Sequence, residues 1–257
     1  MSPAARQLLL PPLAIVLVLV GLYFWVDGQE LDRIAVNALA GEDADSAHAY
    51  SHNVLVAIGE HLRLVGISAV IVLLIGIPIG ILVTRPGARG LAPVVSALAN
   101  AGQAAPVIGI LVLAVAVFGL KSWVPYLALV VYSVLPVMRN TVEGVRAVDP
   151  ALIDAARGQG LSRMQVLRRV ELPLAVPVIL AGVRTALILL VGTATLATFV
   201  DGGGLGDIIN DGIKNQRIPV MIDGAVLAAT LAVTIDWIAG IAERYLAPRG
   251  LRQEAGA

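Results

Sequence analysis

Residues Asp149 to Pro173 read D-P-A-L-I-D-A-A-R-G-Q-G-L-S-R-M-Q-V-L-R-R-V-E-L-P, a polar stretch held between two apolar ones. It carries a complete helix grammar. Asp149 suits an N-cap, and Pro150 suits the first helical position, where a missing N–H is harmless. Gly158 and Gly160 can end that helix, because glycine enters the left-handed region cheaply. A second helix opens at Ser162, where Gln165 completes a capping box and Leu161 and Val166 are spaced as a hydrophobic staple. Pro173 is expected to end it. The sequence therefore predicts two short helices joined by a tight turn at a membrane face, a rigid elbow for another protein to grip.

Working outward, the chain of 257 residues is 58% hydrophobic and 14% charged. A soluble domain averages about 45–50% apolar and about 25% charged, and the excess here is clustered, so a polytopic membrane protein is expected, all-α in class if its apolar segments are spanning helices. The formal net charge is zero, which predicts no nucleic-acid partner. With no cysteine, disulfides, thiol catalysis and thiolate metal sites are excluded. His48, His52 and His61 share one polar stretch, and the 48/52 pair has helical spacing. No third ligand accompanies it, so a solvated loop is expected and no metal site.

A spanning helix needs roughly 20 apolar residues. Six segments qualify, near Leu8–Val26, Arg63–Val83, Pro93–Phe118, Val124–Met138, Ala175–Val200 and Val220–Leu246. The third is interrupted by Pro106 and the fourth is short. With a cytoplasmic N-terminus, twelve Lys and Arg residues fall on the inside (among them Arg85, Arg89, Arg139, Arg146, Arg157, Arg163, Arg168 and Arg169) and five outside (Arg33, Arg63, Lys121, Lys214 and Arg217). This bias puts the elbow and both termini in the cytoplasm. Leu8–Val26 reads as an uncleaved anchor, since Ala38-Leu39-Ala40 lies too far beyond its apolar core for ordinary processing. Asp27 to Glu60 is acidic and reads as a solvated extracytoplasmic loop. The expected organisation is an anchor and loop over 1–61, a membrane domain over 62–248 containing the elbow 149–173, and a tail over 249–257.

The elbow also resembles a family signature. Permease subunits of binding-protein-dependent ABC importers carry an EAA motif: E-A-A, three residues, G, nine residues, I-x-L-P. Here Asp154-Ala155-Ala156 precedes Gly160 by the same interval, and Val170-Glu171-Leu172-Pro173 follows. Asp stands for Glu and Val for Ile. Within this superfamily the chain is most similar to permeases of glycine betaine/carnitine/choline osmoprotectant importers. Three stretches carry that likeness: Leu135-Pro136-Val137-Met138-Arg139-Asn140-Thr141 running to Gly144, Ala181-Gly182-Val183-Arg184-Thr185-Ala186, and Gly203-Gly204-Leu205-Gly206-Asp207. The last is shared with methionine and phosphonate importers. Where the family often has T-I-P-S, this chain has Gln103-Ala104-Ala105-Pro106-Val107.

The resemblance implies an ABC permease fold in which Pro150–Gln159 is a coupling helix inserted into a cleft of a separate ATPase. Asp154, Ala155, Ala156, Arg157, Gly160, Leu172 and Pro173 would form the coupling surface, with Arg163, Arg168 and Arg169 around it. No G-x-x-x-x-G-K-[ST] phosphate loop occurs, so the chain is expected to be a non-catalytic subunit without a cofactor. The glycine-dense Asp201–Gly212 permits a tight re-entrant turn, and the resemblance implies an outer gate at Gly203, Gly204 and Gly206. A plain turn is an equal reading of the same residues. Asn100, Gln103 and Thr195 are candidates for lining a hydrated path, or for bonding helices to one another. Arg184 and Asp236 each fall at roughly 14–15 Å depth by helical rise. Unpaired charges there are costly, which predicts a structural ion pair.

The implied function is the permease subunit of an osmoprotectant importer in the bacterial cytoplasmic (inner) membrane. Its implied partners are a second permease subunit (identical or paralogous), two cytoplasmic ATPase subunits, an extracytoplasmic substrate-binding protein and lipid. Alternatives are an importer of another small solute (methionine, phosphonate or a sulfonate) or a stand-alone secondary carrier. The carrier would leave the elbow unexplained.

Overall fold

The computed structural model describes residues 46–216 and 218–246, together with positions 12 and 15. The first expected span, Leu8–Val26, lies outside this set apart from those two positions, as do most of the acidic segment, Arg217 and the tail. Every regular element among the described residues is helical. The order is α1 (Ser46–Thr84), α2 (Ala92–Ala104), α3 (Val107–Phe118), α4 (Val124–Arg146), α5 (Pro150–Gly158), α6 (Arg163–Val166), α7 (Leu172–Ala194), α8 (Leu205–Lys214) and α9 (Ile218–Leu246).

Helix α4 is the hub, packed most extensively by α1 and α7 and also by α2 and α3. Small residues allow the close approach. A Cβ at Gly80 would lie 2.7 Å from the Thr141 side chain, and one at Gly182 would lie 2.7 Å from the Pro136 carbonyl. Without a hydrophobic gradient between lipid and protein, such backbone proximity is a main source of helix association. Leu64, Val65, Leu129, Leu190, Val191, Ala194 and Ala197 form one buried cluster, and Val72, Val130, Val137 and Ala186 another.

Three described helices are long and apolar enough to cross a bilayer: Val54–Thr84, Arg163–Val200 and Val220–Glu243. Several boundaries differ from the sequence reading. The third expected span is two helices, parted at Ala105–Pro106, because proline pushes the preceding residue into an extended conformation. The fourth is 23 residues long and ends at Arg146 rather than Met138. Its polar second half stays helical against α1 and α7, which hydropathy alone does not register. Helix α1 covers Ser46–Thr84 among the described residues, so residues 46–60 are helix rather than loop, and the expected boundary at 61/62 falls inside it. His61 is fully buried, with Nε2 3.1 Å from the Val191 carbonyl, rather than in a solvated loop.

Pro173 does not end the second elbow helix. A π-helical turn over Leu167–Glu171 leads directly into α7. The Leu172 amide reaches back to the Leu167 carbonyl. This widened turn accommodates a residue that has no amide to donate.

Candidate functional site

At one end of the molecule stands the elbow. The Asp149 carboxylate accepts from the Ala151 amide at 2.8 Å, and Pro150 occupies the first turn. At the other end of α5, Gly160 has φ +83. Its amide donates to Arg157, and the Leu161 amide donates to Ala156. This pair of bonds is a Schellman closure, and it needs a residue that tolerates positive φ. The next helix starts on a complete capping box: Ser162 N–H donates to Gln165 Oε1 at 2.8 Å, and Gln165 N–H to Ser162 Oγ at 3.4 Å. Only Ala156 of α5 is buried, and it anchors the helix. Asp154, Ala155, Arg157, Arg163, Arg168 and Arg169 are all exposed, whereas Leu172 and Pro173 are half-buried at the root.

Sequence reasoning missed two parts of this region. Leu152 and Met164 are 48% and 54% exposed, apolar knobs among the arginines. Glu171, the variable position of the Val170–Pro173 signature, is 5% exposed and accepts from Arg85 at 2.5 Å. Arg85 also donates to Thr84 Oγ1 at 2.8 Å. The elbow root is thereby tied to the end of α1. A carboxylate within an otherwise apolar signature was the available signal.

The glycine loop lies at the opposite end of α7. After Ala194 the chain tightens into a 3-10 turn, Thr195–Val200, and reverses at Asp201, whose φ is +59. The turn itself occupies only 201–204. From Leu205 the chain is already helical, which corrects the longer expected turn to Gly212. The apolar spacing of Leu205, Ile208 and Gly212 carried that helix in the sequence. The loop is held from afar. The Gly204 amide donates to Glu60 Oε2 at 3.1 Å, a Cβ at Gly203 would lie 2.7 Å from the same oxygen, and one at Gly206 would lie 2.0 Å from the Thr195 carbonyl. Thr198 donates to Asp207.

The remaining candidates separate. Asn100 lines a cleft of about 310 Å³ beside α4, with Arg139, Glu143 and Arg146. Thr195 sits at the far end, half-buried, its hydroxyl donating to Gly192 O at 2.7 Å. The Gln103 side chain lies outside the described set. Arg184 and Asp236 are brought together: the guanidinium donates to both carboxylate oxygens, one bond being 2.7 Å, and Glu243 stands 3.8 Å away. Among the described residues no group of three or more His, Asp or Glu is arranged to hold a metal.

Residues 76–249 match the family described as "Binding-protein-dependent transport system inner membrane component". The chain belongs to this family. It is a multi-pass membrane permease of the ABC importer type. It is 39% identical over 194 residues to the choline transport system permease protein OpuBB of Bacillus subtilis, covering 76% of this chain and 88% of that one. Against the osmoprotectant import permease protein OsmY of Salmonella typhimurium it is 37% identical over 235 residues, covering 91% and 93%. Among solved structures, the permease resembles a chain of the MetNI methionine ABC transporter in an inward facing conformation, with a TM-score of 0.69 and 27% identity over 78% of this chain and 99% of that one. An amino acid ABC transporter with histidines shares the fold at a TM-score of 0.65 and 20% identity, over 80% of this chain and 100% of that one.

Proposed function

We propose that this permease forms the translocation pathway of an ATP-driven importer for osmoprotectants of the glycine betaine and choline type. Two permease subunits enclose the path, two cytoplasmic ATPase subunits grip their elbows, and an extracytoplasmic binding protein delivers solute at the glycine-loop end. The Lys and Arg distribution supports a cytoplasmic elbow and cytoplasmic termini. In this reading the chain itself catalyses nothing.

The observation that carries the reading is the elbow. It is capped at every turn by its own residues, it projects exposed arginines around Leu152 and Met164, and its root is pinned to α1 through Arg85 and Glu171. Such an object transmits a push to the spanning helices instead of absorbing it. The names of the relatives support the solute class, since those proteins are choline, carnitine, glycine betaine and osmoprotectant permeases.

The test is reconstitution. Uptake into proteoliposomes should require ATP, the ATPase and the binding protein together, and the permease alone should move nothing. Gly160→Leu should leave the protein inserted yet abolish uptake and co-purification of the ATPase, since nothing crowds a side chain there but φ is positive. Solute movement by the permease alone, or full coupling in Gly160→Leu, rejects the reading.

A further inference from the structure

A cleft of about 330 Å³ opens at the glycine-loop end, lined by Glu60, Arg63, Trp123, Tyr126, Asp201 and Gly202 among others. Its size is at the small end of ligand sites. Its chemistry is unusual for a chain that is 4% aromatic. Two aromatic rings, two carboxylates and one guanidinium converge on one opening. Phe118 packs against Trp123 with ring centroids 5.1 Å apart and tilted by 58°, which buttresses the indole. The Gly204 amide holds the Glu60 carboxylate. Asp201 keeps a charged side chain at φ +59, where glycine would be less strained. Among the described residues neither Arg63 nor Asp201 takes part in an ion pair.

A quaternary ammonium group has no N–H to donate. It is held by ring faces and by diffuse negative charge, not by single acceptors. Trp123 and Tyr126 line the cleft as its aromatic partners, Tyr126 also packing on the buried core, and Asp201 and Glu60 add negative charge. Arg63 stands ready for a carboxylate at the other end of a zwitterion. We propose that this cleft is a receiving site on the permease for small quaternary ammonium solutes, with Arg63 adding preference for those that carry a carboxylate. The proposal rests on the osmoprotectant reading and deepens it: solute leaving a binding protein is met by a matching surface on the permease.

The experiment uses the full-chain permease in nanodiscs without binding protein, with saturation-transfer NMR on the methyl protons of choline and of glycine betaine. Transfer is expected to both from the wild type. Trp123→Tyr should retain it, whereas Trp123→Leu and Asp201→Asn should each weaken choline binding by about fivefold to tenfold. Arg63→Gln should weaken glycine betaine and leave choline bound at least as well, since choline loses only a like charge. Absence of transfer from the wild type, or equal transfer in Trp123→Leu and Asp201→Asn, overturns the site. Uptake of radiolabelled choline and glycine betaine by the reconstituted complex separates the two ideas. Uptake without cleft binding removes the cleft alone, and cleft binding without uptake of either solute removes the transport reading alone.

Discussion

The elbow and the glycine loop are both tight reversals at the ends of α7, and both depend on glycine, yet they are built on opposite plans. At the elbow every cap is local: Asp149 to Ala151, Gly160 to Arg157, Ser162 to Gln165. The glycine loop also has local bonds, Gly202 N–H to the Ala197 carbonyl and Thr198 to Asp207, but it adds ties from far along the chain, with Glu60 accepting from Gly204 across 144 residues and His61 bonding Val191, just upstream in α7, across 130. A locally closed turn keeps its shape when the body around it moves. A turn closed by distant helices changes when those helices shift. The first suits a handle and the second a gate.

The largest effect that probes this contrast is Gly206→Ala. The added Cβ would stand 2.0 Å from the Thr195 carbonyl, a backbone atom that has nowhere to go. We expect a loss of at least about 3 kcal/mol, read as collapse of the monodisperse yield and of the thermal transition in detergent. Gly160→Ala meets nothing within 4 Å and should cost about 1 kcal/mol for left-handed backbone alone. Equal losses at the two glycines would erase the distinction between a packed helix start beside the glycine loop and a free turn at the elbow.

Next is the junction between elbow and body. Glu171→Gln leaves Arg85 without its carboxylate. Breaking a fully buried pair costs about 3–5 kcal/mol. Here Arg85 retains 30% side-chain exposure, so about 2 kcal/mol is expected. Uptake per ATP hydrolysed should fall as well, since the elbow would move without α1. If Glu171→Gln lowers the melting temperature but leaves that ratio intact, the pair is a brace and not a transmitter.

Inside the membrane, Asp236→Asn should destabilise more than the double change Arg184→Gln/Asp236→Asn, because the single variant leaves the guanidinium only the longer contact with Glu243, at 3.8 Å. A coupling of about 1 kcal/mol is expected in a double-mutant cycle. Strict additivity would show that the bonds between Arg184 and Asp236 contribute nothing to the fold.

How much of this was legible in the sequence follows the same division. Asp149, Gly160, Ser162 and Gln165 could be read because each cap lies within five residues of its partner. The approach of Arg184 to Asp236 could be read for another reason: two opposite charges at matched depth in apolar helices have few other places to go. Glu60 could not be read as a partner of Gly204, since nothing in a stretch of acidic residues says which helix it will face. Pro173 was misleading because a π turn upstream absorbs its missing amide. Helix α8 was hidden under its own glycines, although Leu205, Ile208 and Gly212 kept a helical period.

The smallest effect tests whether the elbow is as self-contained as its bonds indicate. The two arms of its capping box are unequal: Gln165 Oε1 accepts from Ser162 N–H at 2.8 Å, but Ser162 Oγ accepts from Gln165 N–H at 3.4 Å. In most helices the N-cap hydroxyl is the stronger arm, and its loss costs about 1 kcal/mol. Here the order should invert. Ser162→Ala should cost no more than about 0.5 kcal/mol, and Gln165→Ala at least as much. Hydrogen exchange resolves the two, because Ser162→Ala exposes the Gln165 amide while Gln165→Ala exposes the Ser162 amide. Both effects should stay within the elbow and leave protection at Gly204 untouched, since no bond of the box reaches beyond three residues. Loosening of the glycine loop by either substitution would mean that the two ends of α7 communicate even through weak local changes, and the elbow would then be a part of the gate rather than a handle upon it.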